Sequence, residues 1–279
     1  MFQSVETIIV TWFASIFLII GWCLRSNPFS ALHGFVVDLF RQRRLLILFA
    51  GALSILLLNK LELLIEPHIQ QKIDFTPYIY AFEGHVTPLI QQTLASRPLT
   101  YVTTYFYVIV FAAMMVASLA IYHSEKDFRS LYAFLYAISL NYFLAIPFFL
   151  FIPVEETWHM HPAVRFLVPD VYPAFEEQYR HFSGLDNSFP SLHTSISVMM
   201  AMIAYQSKNR RFARLTIVSA AVILFSILYL GIHWIMDLLA GVILGIVSAS
   251  LAFRWSDYTL AYPWYFPNRK KTASEQSYH

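Results

Sequence analysis

Asn187-Ser188-Phe189-Pro190-Ser191-Leu192-His193-Thr194-Ser195 opens an apolar run long enough to cross a bilayer, and Gly231-Ile232-His233-Trp234-Ile235-Met236-Asp237 opens another about forty residues later. Each stretch sets a histidine at the mouth of a membrane segment, where ionisable groups are costly and are kept for function. Ser188 suits a helix N-cap and Pro190 a first helical turn. The N–H groups of such a turn have no intrahelical partner and favour an anion. His233 and Asp237 stand four residues apart, which on a helix puts them on one face. A carboxylate on one imidazole nitrogen fixes the tautomer and leaves the other nitrogen free to attack or to shuttle a proton. One histidine oriented by an aspartate and a second at an anion-binding helix start form a candidate phosphoryl-transfer site.

Outward from these stretches, the chain reads as membrane protein. It has 279 residues, 58% hydrophobic and 13% charged, against a charged fraction of about 25% in soluble domains. Apolar runs of membrane-spanning length recur at 5–24, 45–64, 101–122, 131–151, 189–205, 215–230 and 233–253. The fold class expected is all-α: a polytopic bundle with a six-helix core and one added N-terminal helix. The first run lacks a positive segment before it and reads as a retained helix rather than a signal peptide. Between the second and third spans, Pro67, Pro77, Pro88 and Pro98 interrupt an amphipathic pattern. There Ile65, Ile69, Ile73, Tyr78, Ile79, Phe82, Val86 and Leu89 would face lipid, and Glu66, Lys72, Asp74 and Glu83 water. That pattern predicts broken helices lying in the membrane interface; an ordinary loop is the other reading. Residues 152–187 form a long extramembrane loop. Three regions result: 1–44, an N-terminal helix and basic segment; 45–253, the membrane domain; and 254–279, a tail.

Lysine and arginine set the expected orientation. Of the 19, most fall in the turns 25–44, 122–130 and 206–214 and in the tail, while Lys60, Lys72, Arg97, Arg165 and Arg180 lie on the other side. The basic turns and C-terminus are therefore expected in the cytoplasm, and the N-terminus, the long loop and both histidines outside it or in a lumen. No basic run suggests nucleic acid; the partners expected are membrane lipids. Cys23 is the only cysteine, so neither an intrachain disulfide nor a thiolate metal site is available.

The two motif stretches resemble the type 2 phosphatidic acid phosphatase superfamily, which includes lipid phosphatases, vanadium haloperoxidases and sphingolipid phosphotransferases. The family's Pro-Ser-Gly-His motif is Pro190-Ser191-Leu192-His193 here. Its Ser-Arg, five residues, His, three residues, Asp motif is matched by Ser226-Ile227, His233 and Asp237. Leu192 replaces the glycine, Ile227 replaces a phosphate-binding arginine, and the family's first Lys…Arg-Pro motif has no good match. The spelling is nearest the inositol phosphorylceramide synthase branch. The resemblance covers roughly residues 45 to 253. It implies a metal-independent enzyme, without cofactor, that acts on a lipid phosphate ester.

In that chemistry His233 is the expected nucleophile, Asp237 its orienting group, and His193 the general acid that becomes the base for the acceptor. The acceptor is water, as in a lipid phosphatase, or an alcohol, as in a phosphotransferase. Ser191 and the N–H groups near Leu192, behind Pro190, are expected at the phosphate oxygens, with Ser191 as nucleophile a weaker alternative. With Ile227 unable to serve, Arg165 or Arg180 is expected to supply the cation. Other readings stand beside these. The His–Asp pair can pack two helices; His159, His161, His181, His193 and Asp186 offer zinc ligands at no standard spacing; and the fold can serve a lipid-binding or transport protein without turnover. Oligomeric state cannot be read from the sequence.

Overall fold

The computed structural model describes residues 4–65, 68–69, 73–179 and 184–262. Among them the chain is helical, with no strand and a single parallel bridge between Val154 and Asn187. In chain order the helices are α1 Val5–Leu24, α2 Pro28–Arg41, α3 Arg43–Ile65, α4 Thr76–Glu83, α5 Val86–Leu94, α6 Arg97–Tyr105, α7 Phe111–Ser124, α8 Phe128–Phe151, α9 Thr157–Met160, α10 Phe175–Tyr179, α11 Leu192–Gln206, α12 Arg210–Tyr229 and α13 Ile235–Ala261. Among the described residues, six stretches are long and apolar enough to cross a membrane: α1, Arg43–Glu62 of α3, the continuous run Arg97–Ser124, α8, α12 and α13. The remaining expected span, α11, has only fifteen residues. The expected all-α polytopic bundle is the architecture found.

Side-chain caps explain many of the helix starts. Asn27 accepts from Phe29 N, Asp127 from Ser130 N, and Asn209 from Phe212 N, each satisfying a first-turn donor that the helix itself cannot. With Pro28 in its first turn, α2 forms where the sequence reads only as a mixed basic segment. It buries Ala31, Phe35 and Leu39, spaced four apart, and packs on α7, as α1 does. The last helix runs to Ala261, past the expected boundary at 253, and begins at Ile235 rather than His233.

α11 lies between α12 and α13, and α13 also packs along α8. Small residues set that spacing. A Cβ added at Gly241 would sit 2.6 Å from Ser191 O, and one at Gly245 would sit 2.5 Å from Ser195 O. This small-xxx-small stripe lets two membrane helices meet backbone to backbone. Outward, Val10, Leu18, Leu57, Phe143, Val218 and Ile243 are exposed, as a lipid-facing girdle requires.

The segment between the second and third spans forms the short helices α4 and α5, as the proline pattern predicts. Tyr78, Phe82 and Leu89 are exposed, as expected of membrane-facing residues. Two expectations fail here. Glu83, expected to face water, is buried, because its carboxylate accepts hydrogen bonds from Ile235 N at 2.7 Å and Met236 N at 2.9 Å. Ile79, expected to face lipid, packs instead with Val154 and Trp234. Glu66 and Lys72 lie outside the described residues. The long loop is closed on itself where Val154 N donates to Asp186 O, and pinned to the core where Trp158 N donates to Gly231 O and Leu167 N to Leu230 O.

Candidate active site

The start of α13 and the turn before it build one half of the site. Gly231, with φ +84, turns the chain where an added Cβ would meet Arg165 O at 2.7 Å, so only glycine fits. His233 follows, just before α13, and Asp237 lies in its first turn. Their spacing predicts one helical face; the contact is found, but it joins a pre-helical residue to the helix. His233 Nδ1 is 3.2 Å from Asp237 Oδ2. The same oxygen accepts from Trp234 N at 2.9 Å and from Ser188 Oγ at 2.6 Å, and Ser188 Oγ lies 2.9 Å from His233 Nδ1. The network is consistent with one proton assignment. Ser188 donates to Asp237, Nδ1–H donates to the Ser188 and Asp237 oxygens, and Nε2 keeps its lone pair.

Glu83 anchors this half from α4. Its carboxylate occupies the N–H groups that open α13, so the anion slot at that helix start is filled by the protein itself. Burial pushes its pKa up, against the pull of the two N–H donors. Trp234 is fixed as well: its indole Nε1 donates to Glu155 O at 2.8 Å.

The other half belongs to α11 and the run from α6 to α7. Ser191, not Ser188, caps α11: its Oγ accepts from Thr194 N at 3.3 Å and from Thr194 Oγ1 at 3.2 Å. Pro190 therefore precedes the helix rather than forming its first turn. His193, in the first turn, hydrogen-bonds to no described residue and lies among aromatic rings, 4.4 Å from Tyr107 and 4.5 Å from Phe111 between centroids. Tyr107 lies within a π-helical turn over Phe106–Val110, and Phe111 directly follows it. One extra residue in the turn shifts the facing of the helix, a distortion often found at functional sites.

His193 and His233 line a single cavity of about 290 Å³, with Tyr107, Phe111, Leu192, Ser188, Asn187 and Glu156 among its walls. Asn187 also donates to Glu62 Oε1 at 3.3 Å, which ties the end of α3 to the motif. No lysine or arginine is among the described lining residues. Asp237 is wholly buried, and its Oδ1 has no hydrogen-bond partner among the described residues.

Several expected site residues lie elsewhere. Ser191 and Pro190 are buried and do not line the cavity; the Ser191 hydroxyl is spent on capping α11, and its N–H donates to Asp237 O. Arg165 does not reach the histidines either. Its guanidinium pairs with Asp170 at 3.2 Å, because its backbone is fastened by Gln91 with the side chain turned to another cleft. Arg180 and His181 lie outside the described residues. Ile227 is buried in an apolar cluster, and only its carbonyl serves the site, accepting from His233 N. Of the weighed zinc ligands, His159 bonds Glu155 and His161 lies against Tyr80, away from His193.

Sequence reasoning missed Ser188 as the third member of the His–Asp group, having assigned it to a cap. It also missed Tyr107 and Phe111, which composition cannot tell from the many lipid-facing aromatics. Glu83 carried no signal, since only tertiary structure brings α4 to α13.

The family model of the PAP2 superfamily matches residues 159–261. The match supports that superfamily. It covers most of the long loop and α11 to α13, ending where α13 ends. Among curated proteins nothing matches, and no solved structure matches. The family and the helical membrane architecture together suggest a lipid phosphatase-type enzyme.

Proposed function

We propose that this chain cleaves a lipid phosphate ester through a phosphohistidine on His233. The observation that carries the reading is one cavity lined by two histidines, one of them held at Nδ1 by Asp237 and Ser188. The Nε2 lone pair of His233 attacks phosphorus and forms a P–N bond. The P–O bond to the lipid breaks, and His193 gives its proton to the departing alkoxide. Asp237 offsets the positive charge that develops on the ring. In the second half, His193 takes a proton from water or an alcohol, whose oxygen attacks phosphorus as the P–N bond breaks. His233 is then free again.

The motif spelling favours an alcohol acceptor and the inositol phosphorylceramide synthase-like branch; the same base serves water. Neither route needs a metal or cofactor. The experiment is incubation of purified protein with labelled lipid phosphates, with and without an inositol-type alcohol, and with vanadate, which mimics pentacoordinate phosphorus. Vanadate-sensitive release or transfer is expected. No turnover across the panel would instead favour a lipid-binding or transport role.

The charge distribution supports a second proposal: the histidine cavity opens away from the cytoplasm, and the basic turns face it. In a Cys23→Ser background, single cysteines placed in the long loop are expected to react with an impermeant reagent added to the non-cytoplasmic side. Labelling from the cytoplasmic side alone would reverse the topology.

A further inference from the structure

The arginine that does not reach the histidines lines a different cleft. Ser96, Arg97, Thr100, Arg165, Leu167 and Asp170 are among the walls of a space of about 440 Å³ between the start of α6 and the long loop. Two guanidinium groups bound it. The Arg97 guanidinium makes no hydrogen bond or ion pair with any described residue. Arg165 meets Asp170 through Nη2 alone, so Nε and Nη1 are uncommitted to it. The pair is well exposed, 73% and 49% at the side chains, and water weakens its hold. Two cations against one carboxylate leave the cleft a net positive charge. Its apolar floor is built by Leu167 and Val171, both buried.

This combination suits a phosphate group carried on a carbon skeleton. A guanidinium fork matches phosphate oxygens in geometry as well as charge, and the apolar floor accepts the skeleton. Position matters too. Arg97 opens a 28-residue apolar helix, so the cleft lies where a span meets its membrane surface. We propose that this cleft is a second phosphate-binding site, distinct from the histidine cavity, for the phosphoester of an anionic lipid headgroup or for free phosphate. The two sites share no described lining residue.

The test uses the full-length protein in phosphatidylcholine nanodiscs, with phosphatidylglycerol added in one arm and inorganic phosphate in the other. Thermal unfolding reports binding. A rise in Tm on addition is expected in the wild type and in His233→Ala, which separates this cleft from the catalytic cavity. Arg97→Gln and Arg165→Gln should each raise the half-saturating ligand level by about tenfold or more, as loss of a charged hydrogen bond implies. Asp170→Asn should lower it, since a competing carboxylate is gone. An arginine-dependent rise with phosphatidylglycerol alone assigns a lipid headgroup; one with inorganic phosphate assigns the free ion. No rise in either arm, or a rise unchanged in the double arginine variant, overturns the proposal.

Discussion

His233→Ala is expected to lower turnover by about a hundredfold or more, since a covalent nucleophile has no substitute in the cavity. It should also remove any acid-labile phosphate trapped on the protein. His193→Ala is expected to be nearly as inactive on lipid substrates but to differ in one respect. An aryl phosphate leaves without being protonated, so phosphoenzyme should still form on His233 and accumulate, because the base for its breakdown is missing. Asp237→Asn should reduce turnover strongly without abolishing it, keeping the shape of the contact while altering the proton pattern at Nδ1. The measurements are turnover and, with labelled substrate, phosphoenzyme trapped by a rapid quench into alkaline detergent, in which a phosphohistidine survives. More than a hundredth of wild-type activity in His233→Ala would exclude His233 as the covalent residue.

The second large effect is expected at the α11–α13 contact. In Gly241→Val or Gly245→Val the new side chain meets backbone oxygen at 2.6 or 2.5 Å, and backbone cannot step aside as a flexible side chain can. Overpacking of this kind costs roughly 1–3 kcal/mol or more. Activity should fall with stability, because α13 carries Asp237, whose carbonyl is bonded by Ser191 at the start of α11. Gly51→Ala is the control. Nothing lies within 4 Å of its Cβ position on α3, and alanine is the better helix former by about 1 kcal/mol. Equal loss of thermal stability in all three variants would mean that the stripe does not set the helix spacing.

Much of this architecture is legible in the chain because lipid makes the rules simple. Long apolar runs must be helices, and the paired motifs announce themselves by histidine at their mouths. His193, His233 and Asp237 come together as their spacing suggests. What is not legible depends on where irregular backbone goes. Ser188 reads as a cap and Ser191 as a phosphate ligand, and only the course of residues 187–191 decides that the first serves His233 while the second caps α11. Arg165 sits three residues before Val168, which is buried in a core cluster. That anchoring turns its side chain elsewhere, and no charge count could predict it. The π-helical turn before Phe111 is likewise invisible to an apolar pattern that any helix would satisfy.

The shortness of α11 has a consequence for water. Fifteen residues rise about 22 Å, while the hydrocarbon layer is about 30 Å thick. A helix that ends at one edge of that layer therefore starts short of the other, which would set His193, in its first turn, below the membrane surface inside the protein cavity it shares with Tyr107 and Phe111. Irregular backbone at such depth is tolerated only when protein encloses it or a cavity hydrates it. Here the Val154–Asn187 bridge and the bonds around it provide the enclosure. A phospholipid then needs little vertical movement to bring its phosphate to the histidines. The small polar acceptor makes the longer journey, and dryness along that path is a means by which the fold can choose between hydrolysis and transfer.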